Sequence, residues 1–131
     1  MTGRELALRR HIMEAFAATA GPPAVDDGPL LRSLAAQHVV VLDETHDGPR
    51  IRMAHPFARH REGTRVDADR RSWWGSCAWD GLGIVAALGL SDATVTSNGH
   101  QLRMRDGRLL DDALFHVAVP AREWWADIGF A

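Results

Sequence analysis

The chain has 131 residues, 46% of them hydrophobic, which suits one compact domain or two small lobes sharing a core. Its formal net charge of −2 gives no global field for nucleic acid or an anionic membrane, and its 15 basic residues are all arginine, a codon bias rather than a phosphate-binding signature. One cysteine excludes an internal disulfide framework. With no apolar leader after Met1 and no stretch near the ~20 apolar residues that span a bilayer, it predicts a cytoplasmic protein with no membrane partner.

Glu5 to Ala18 carries apolar residues at helical spacing (Leu6, Leu8, Ile12, Met13, Phe16), with Arg9, Arg10 and Glu14 opposite. This predicts an amphipathic helix stopped by Gly21-Pro22-Pro23. Asp26-Asp27-Gly28-Pro29 supplies a cap and first turn for a second helix from about Pro29 to Ala36. Val39 to Leu42 reads as a short strand, His46-Asp47-Gly48-Pro49 as a turn, and Arg50 to Met53 as the return strand. Two helices and a hairpin make a winged-helix-like pattern. Pro56 to Gly63 reads as a polar crossing, which divides the chain into a winged-helix-like lobe over residues 1–56 and a core lobe over 57–131.

Thr64 to Trp74 has strand-like alternation with a turn near Asp69-Arg70. A helix is expected from about Cys77 to Leu88, capped by Gly89. Ala93 to Thr96 and Gln101 to Arg105 are expected strands, with turns at Ser97-Asn98-Gly99 and Asp106-Gly107. Phe115 to Val119 is expected as a further strand closed by Pro120, and Ala121 to Asp127 as a short helix. The predicted class is α+β, with an antiparallel sheet around one central helix in the second lobe.

Several functional classes find little support. The seven histidines form no His-x-x-x-His pair and join no second cysteine at zinc spacing. Of them, His55 before Pro56 and His116 in a strand are the ones expected to approach the core. The second helix offers only Arg32 and Gln37 for reading bases, acidic Asp26-Asp27 precedes it, and no basic stripe is present, so no nucleic-acid partner is expected. Gly81-Leu82-Gly83 lacks the strand before it and the third glycine of a nucleotide loop.

The chemistry concentrates in Trp73-Trp74-Gly75-Ser76-Cys77-Ala78-Trp79-Asp80, which holds the single cysteine and three of the five tryptophans. With a helix following, Cys77 and Asp80 lie one turn apart on one face. The helix N-terminus favours the thiolate, so Cys77 is expected to be more acidic than a free thiol. A carboxyl group beside tryptophans is partly desolvated, which makes its proton-carrying form accessible. Such a pair suits attack on a soft electrophile followed by proton delivery. On spacing alone, an inert buried cysteine and a helix-terminus carboxylate are the more usual reading.

Arg52-Met53-Ala54-His55-Pro56-Phe57, the block from Trp73 to Ile84, His116-Val117-Ala118-Val119-Pro120 and Trp124-Trp125-Ala126-Asp127-Ile128-Gly129-Phe130 resemble the alkylmercury lyase (organomercurial lyase) family. The similarity runs from roughly Leu6 to the last residue, and the Cys-x-x-Asp block is its specific part. The resemblance implies that Cys77 and Asp80 are catalytic, that Cys77 takes the mercury of an organomercurial, and that a proton is delivered to carbon. It also implies a scaffold role for the N-terminal lobe. The family has a second cysteine just past a segment resembling Trp124 to Phe130, whereas this sequence has one cysteine and reads as a short member.

No cofactor is expected beyond mercury as substrate or product ion, with an external thiol as the replacement ligand. The partner is then a small-molecule substrate. Trp73, Trp74, Trp79, Trp124 and Trp125 are core mass that also walls the thiol pocket, with His116 at its edge. Two competing readings stand beside the lyase. One is a non-catalytic soft-metal-binding or regulatory protein on the same scaffold. The other is a lyase-like enzyme acting on a substrate without mercury.

Overall fold

The computed structural model describes residues 1–114, 120, 122 and 123. Helix α1 spans Gly3–Thr19. Thr2 caps it: its side chain accepts from Glu5 N, and the Glu5 carboxylate accepts from Thr2 N at 2.7 Å, a reciprocal capping box. The chain leaves the helix at Ala20 (φ 58°), just ahead of the expected Gly-Pro-Pro stop. The buried face is Glu5, Ile12 and Phe16. Leu6, assigned to the apolar stripe from periodicity, is 51% exposed. Glu5 occupies the buried position instead, because Thr2 N and Ser33 Oγ (2.5 Å) satisfy its carboxylate.

Helix α2, Gly28–Ala36, begins at Asp27, whose side chain accepts from Leu30 N, and buries Leu31 and Leu34. Strands β1 (Val41–Thr45), β2 (Gly48–Ala54) and β3 (Phe57–Ala58) form an antiparallel sheet in that order. The first strand is displaced from the expected 39–42. The turn is only His46-Asp47, closed by the Thr45↔Gly48 pair, so Asp43 and Glu44 are drawn into the ladder. Pro56 to Gly63 is not simply a polar crossing. Phe57 and Ala58 are buried, Phe57 stacks on Phe16 with ring centroids 5.5 Å apart, and the pairing of Ala54 with Phe57 carries the sheet across residue 56.

The second sheet contains β4 (Thr64–Ala68), β5 (Arg71–Gly75), β6 (Ala93–Ser97), β7 (His100–Arg105) and β8 (Arg108–Leu109), in the order β5-β4-β6-β7-β8. All its pairings are antiparallel. The two-residue turns Asp69-Arg70, Asn98-Gly99 and Asp106-Gly107 have positive φ at both positions, the geometry that matches strand twist. β8 was not foreseen. Helix α3, Ala78–Leu88, lies on β4, β5 and β6 and ends at Gly89 in the left-handed region. It approaches closely: a Cβ on Gly81 would sit 2.5 Å from Val95 Cγ1 and 2.7 Å from Thr64 Cγ2.

Three helices on two antiparallel sheets make the described fold α+β. One hydrophobic cluster joins Ile12 and Phe16 of α1, Leu31 and Leu34 of α2, Phe57, Val66, Trp73, Ile84 and Val95. The sheet also caps α1. Trp73 Nε1 donates to Ala17 O at 3.0 Å, and Arg71 donates to the carbonyls of Ala17 and Ala18. These are carbonyls that a helix end leaves without internal partners, and the arginine charge suits that terminus. Among the described residues no helix is long and apolar enough to cross a membrane. The strand expected over 115–119 and most of the helix expected over 121–127 fall outside the described residues.

Candidate active site

Strand β5 ends at Gly75, and the chain enters α3 through Ser76 and Cys77. Cys77 takes the N-cap position with extended backbone (φ −141°, ψ 172°) and makes no side-chain cap hydrogen bond. Asp80 is three residues on, in the first turn. Its Oδ2 accepts from Ser76 N at 3.1 Å. Its Oδ1 stands 3.9 Å from His55 Nδ1, and only 15% of its side chain is exposed.

Glycine at 75 makes this placement possible. A Cβ there would lie 2.7 Å from Asp80 Cβ and 2.9 Å from Pro56 O. Pro56 in turn packs on α3, where a Cβ on Gly83 would lie 3.1 Å from Pro56 Cβ. Close packing at Gly75 and Gly83 thus brings the His55-Pro56 segment against the first turn of the helix.

The thiol is the electrostatic surprise of the site. Burial pushes the Cys77 pKa up, and the charge and hydrogen bonding of the Asp80 carboxylate push the same way. The backbone N–H groups of Asp80 and Trp79 face the sulphur and oppose the rise without cancelling it. The expectation of an acidified helix-terminal thiol is therefore reversed. Helix-end polarity is worth about 0.3–1 kcal/mol, less than desolvation plus a neighbouring anion. Burial and the neighbouring Asp80 side chain thus both favour the protonated thiol.

The tryptophans expected to wall the site go to different places. Trp73 is buried against the end of α1. Trp74, next along β5, points to the opposite face of the sheet, where the Arg61 guanidinium lies 4.7 Å from its ring centroid. Trp79, in the first turn of α3, is 66% exposed. His116, Trp124 and Trp125 lie outside the described residues.

A cleft of about 290 Å³ opens beside Gly75 and Ser76, with Arg52, Met53, His60 and Glu62 among its walls. In it Ser76 Oγ donates to Met53 Sδ at 3.2 Å. Among the described residues no three His, Cys, Asp or Glu side chains converge as a metal cage.

Sequence reading located Cys77 and Asp80 but missed the company of Asp80. His55 was marked only as a residue approaching the core, and nothing local tied it to a carboxylate on a later helix. The Ser76 amide and the space at Gly75 were likewise invisible until strand and helix were assembled. Their one local signal was the pattern Cys-x-x-Asp itself, which places a side chain at the N-cap and a carboxylate where a capping box has one.

Comparison with known proteins rests on a single finding. A MerB (alkylmercury lyase) family profile matches residues 57–128. No curated protein and no solved structure matches the chain. The matched span covers over half the chain and contains both members of the thiol–carboxylate pair, and on that match the chain belongs to the alkylmercury lyase family.

Proposed function

We propose that the protein captures organomercurials on Cys77 and cleaves the carbon–mercury bond with a proton carried by Asp80. Family membership supports a lyase-like function in general. The observation that carries the finer reading is geometric: Cys77 holds the N-cap of α3 and the largely buried Asp80 carboxylate lies in the same first turn, with the elevated thiol in keeping with that placement. Mercury(II) prefers soft thiolate ligands. The Cys77 S–H proton passes to the Asp80 carboxylate as the sulphur–mercury bond forms and the mercurial's exchangeable anionic ligand, such as chloride, leaves to solvent. A second thiolate, from a small thiol in solution, joins the mercury. Asp80 then gives its proton to the carbon. The electron pair of the carbon–mercury bond becomes the new carbon–hydrogen bond, hydrocarbon leaves, and mercury stays divalent on two sulphurs. No electron donor is needed. A thiol that rests protonated fits this sequence, because the proton lost on capture is the one the carbon receives.

The test is hydrocarbon release by the 131-residue chain mixed with phenylmercury and excess small thiol. Benzene released above the protein-free control supports the reading. Stoichiometric mercurial binding with no benzene above that control overturns it.

A further inference from the structure

We propose that His55 is the positioning residue for Asp80, holding the carboxylate in line with Cys77 during proton transfer. This rests on the lyase reading of the same pair. A carboxylate offers about four lone-pair directions. Ser76 N occupies one on Oδ2 at 3.1 Å, and His55 Nδ1 faces Oδ1 at 3.9 Å. The second distance is longer than a hydrogen bond. Contacts of this kind commonly tighten when substrate is bound.

The surroundings favour closure on this partner. The His55 side chain is 31% exposed against 15% for Asp80, so imidazole lies on the more open side of the carboxylate. His55 is followed by Pro56, which is packed against Gly83 and whose carbonyl abuts Gly75. The backbone carrying the imidazole is thus fixed to the helix that carries Asp80. Once that contact closes, a donor on each oxygen holds the carboxyl plane, and the remaining lone pairs are left for the thiol proton. The same logic governs metal sites, where the partner that orients a ligand is worth about 10–100-fold in affinity or activity.

The experiment compares wild type, His55→Leu and His55→Asn in single turnover with phenylmercury and excess small thiol, reading mercurial capture at Cys77 and benzene release separately. His55→Leu should still capture one equivalent, with capture slowed less than release, and release benzene about 10–100-fold more slowly. His55→Asn, which keeps a side-chain N–H near the Nδ1 position, should recover most of that loss. Unchanged release in His55→Leu, equal slowing of capture and release, or no recovery in His55→Asn overturns the proposal.

A second arm uses no turnover. The imidazole nitrogen resonances of His55 should move in Asp80→Asn, and unchanged resonances overturn the contact. If wild type releases no benzene, the lyase reading fails, and the resonances alone decide whether His55 engages Asp80. If they move, the contact stands as an orienting pair at a mercurial-binding site.

Discussion

At the start of α1, Thr2 holds the N-cap and Glu5 sits three residues on. At the start of α3, Cys77 and Asp80 hold the same two positions. The first pair closes on itself: hydroxyl accepts from the Glu5 amide, carboxylate accepts from the Thr2 amide, and Ser33 adds a third bond. The second pair stays open. Sulphur makes no cap bond, and Asp80 reaches past Cys77 to the amide of Ser76.

The electrostatics diverge accordingly. The hydrogen bond from Ser33 and the bond from Thr2 hold the Glu5 carboxyl down at about 2. Burial and a neighbouring anion hold the Cys77 thiol up. One arrangement of positions yields a stabilising cap when the N-cap residue is a hydroxyl with full partners. It leaves an open thiol–carboxylate pair, the one proposed to transfer a proton, when that residue is a half-buried thiol.

The largest effect that separates the two helix starts is expected at Asp80. Asp80→Asn should fold, losing only the ~0.3–1 kcal/mol of a helix-terminus charge. It should still bind mercurial, while hydrocarbon release falls by about 10²–10⁴-fold, the usual value of a positioned acid. A variant that releases hydrocarbon at the wild-type rate would make Asp80 a cap residue like Glu5.

Next in size is Gly75→Ala. Its methyl group enters the space held by Asp80 Cβ and Pro56 O. Overpacking of this kind costs about 1–3 kcal/mol, read as a lower midpoint in urea. It should slow hydrocarbon release more than mercurial capture, because the displaced side chain is the carboxylate. Wild-type stability in the variant contradicts the close packing.

How much of this was legible in the sequence follows from the range of each interaction. The Asn98-Gly99 and Asp106-Gly107 turns and the Gly89 cap were readable because each is decided by one or two residues. The start of α3 and the Cys-x-x-Asp pair were readable for the same reason. Two-residue β3 is too short to show a period, and only its packing on Phe16 reveals that Phe57 is core. Leu6 left its expected buried place and Glu5 is buried because Ser33, on another helix, supplies a hydrogen bond that satisfies the carboxylate. The sign of the Cys77 shift was misjudged on similar grounds: a helix terminus is visible locally, but burial is not.

The smallest effect belongs to α1. Glu5 has its folded pKa lowered from 4.5 to about 2. A lowered carboxylate contributes stability that is fully present above its unfolded value and lost as the pH falls through its folded one. Glu5→Gln should therefore flatten the pH dependence of unfolding between about pH 4.5 and 2, and leave mercurial chemistry untouched. An acid-unfolding profile identical to wild type contradicts the capping-box account of this helix.

The pairing of Cys77 with Asp80 is tested most directly by the pH dependence of Cys77 alkylation in the folded protein, wild type against Asp80→Asn. Wild type should titrate above the ordinary thiol value of 9.0, because burial and the carboxylate act together. Asp80→Asn should move the midpoint down while leaving part of the elevation, since the burial remains. A wild-type midpoint below the ordinary value, or one that Asp80→Asn does not shift, contradicts the coupling of thiol and carboxylate.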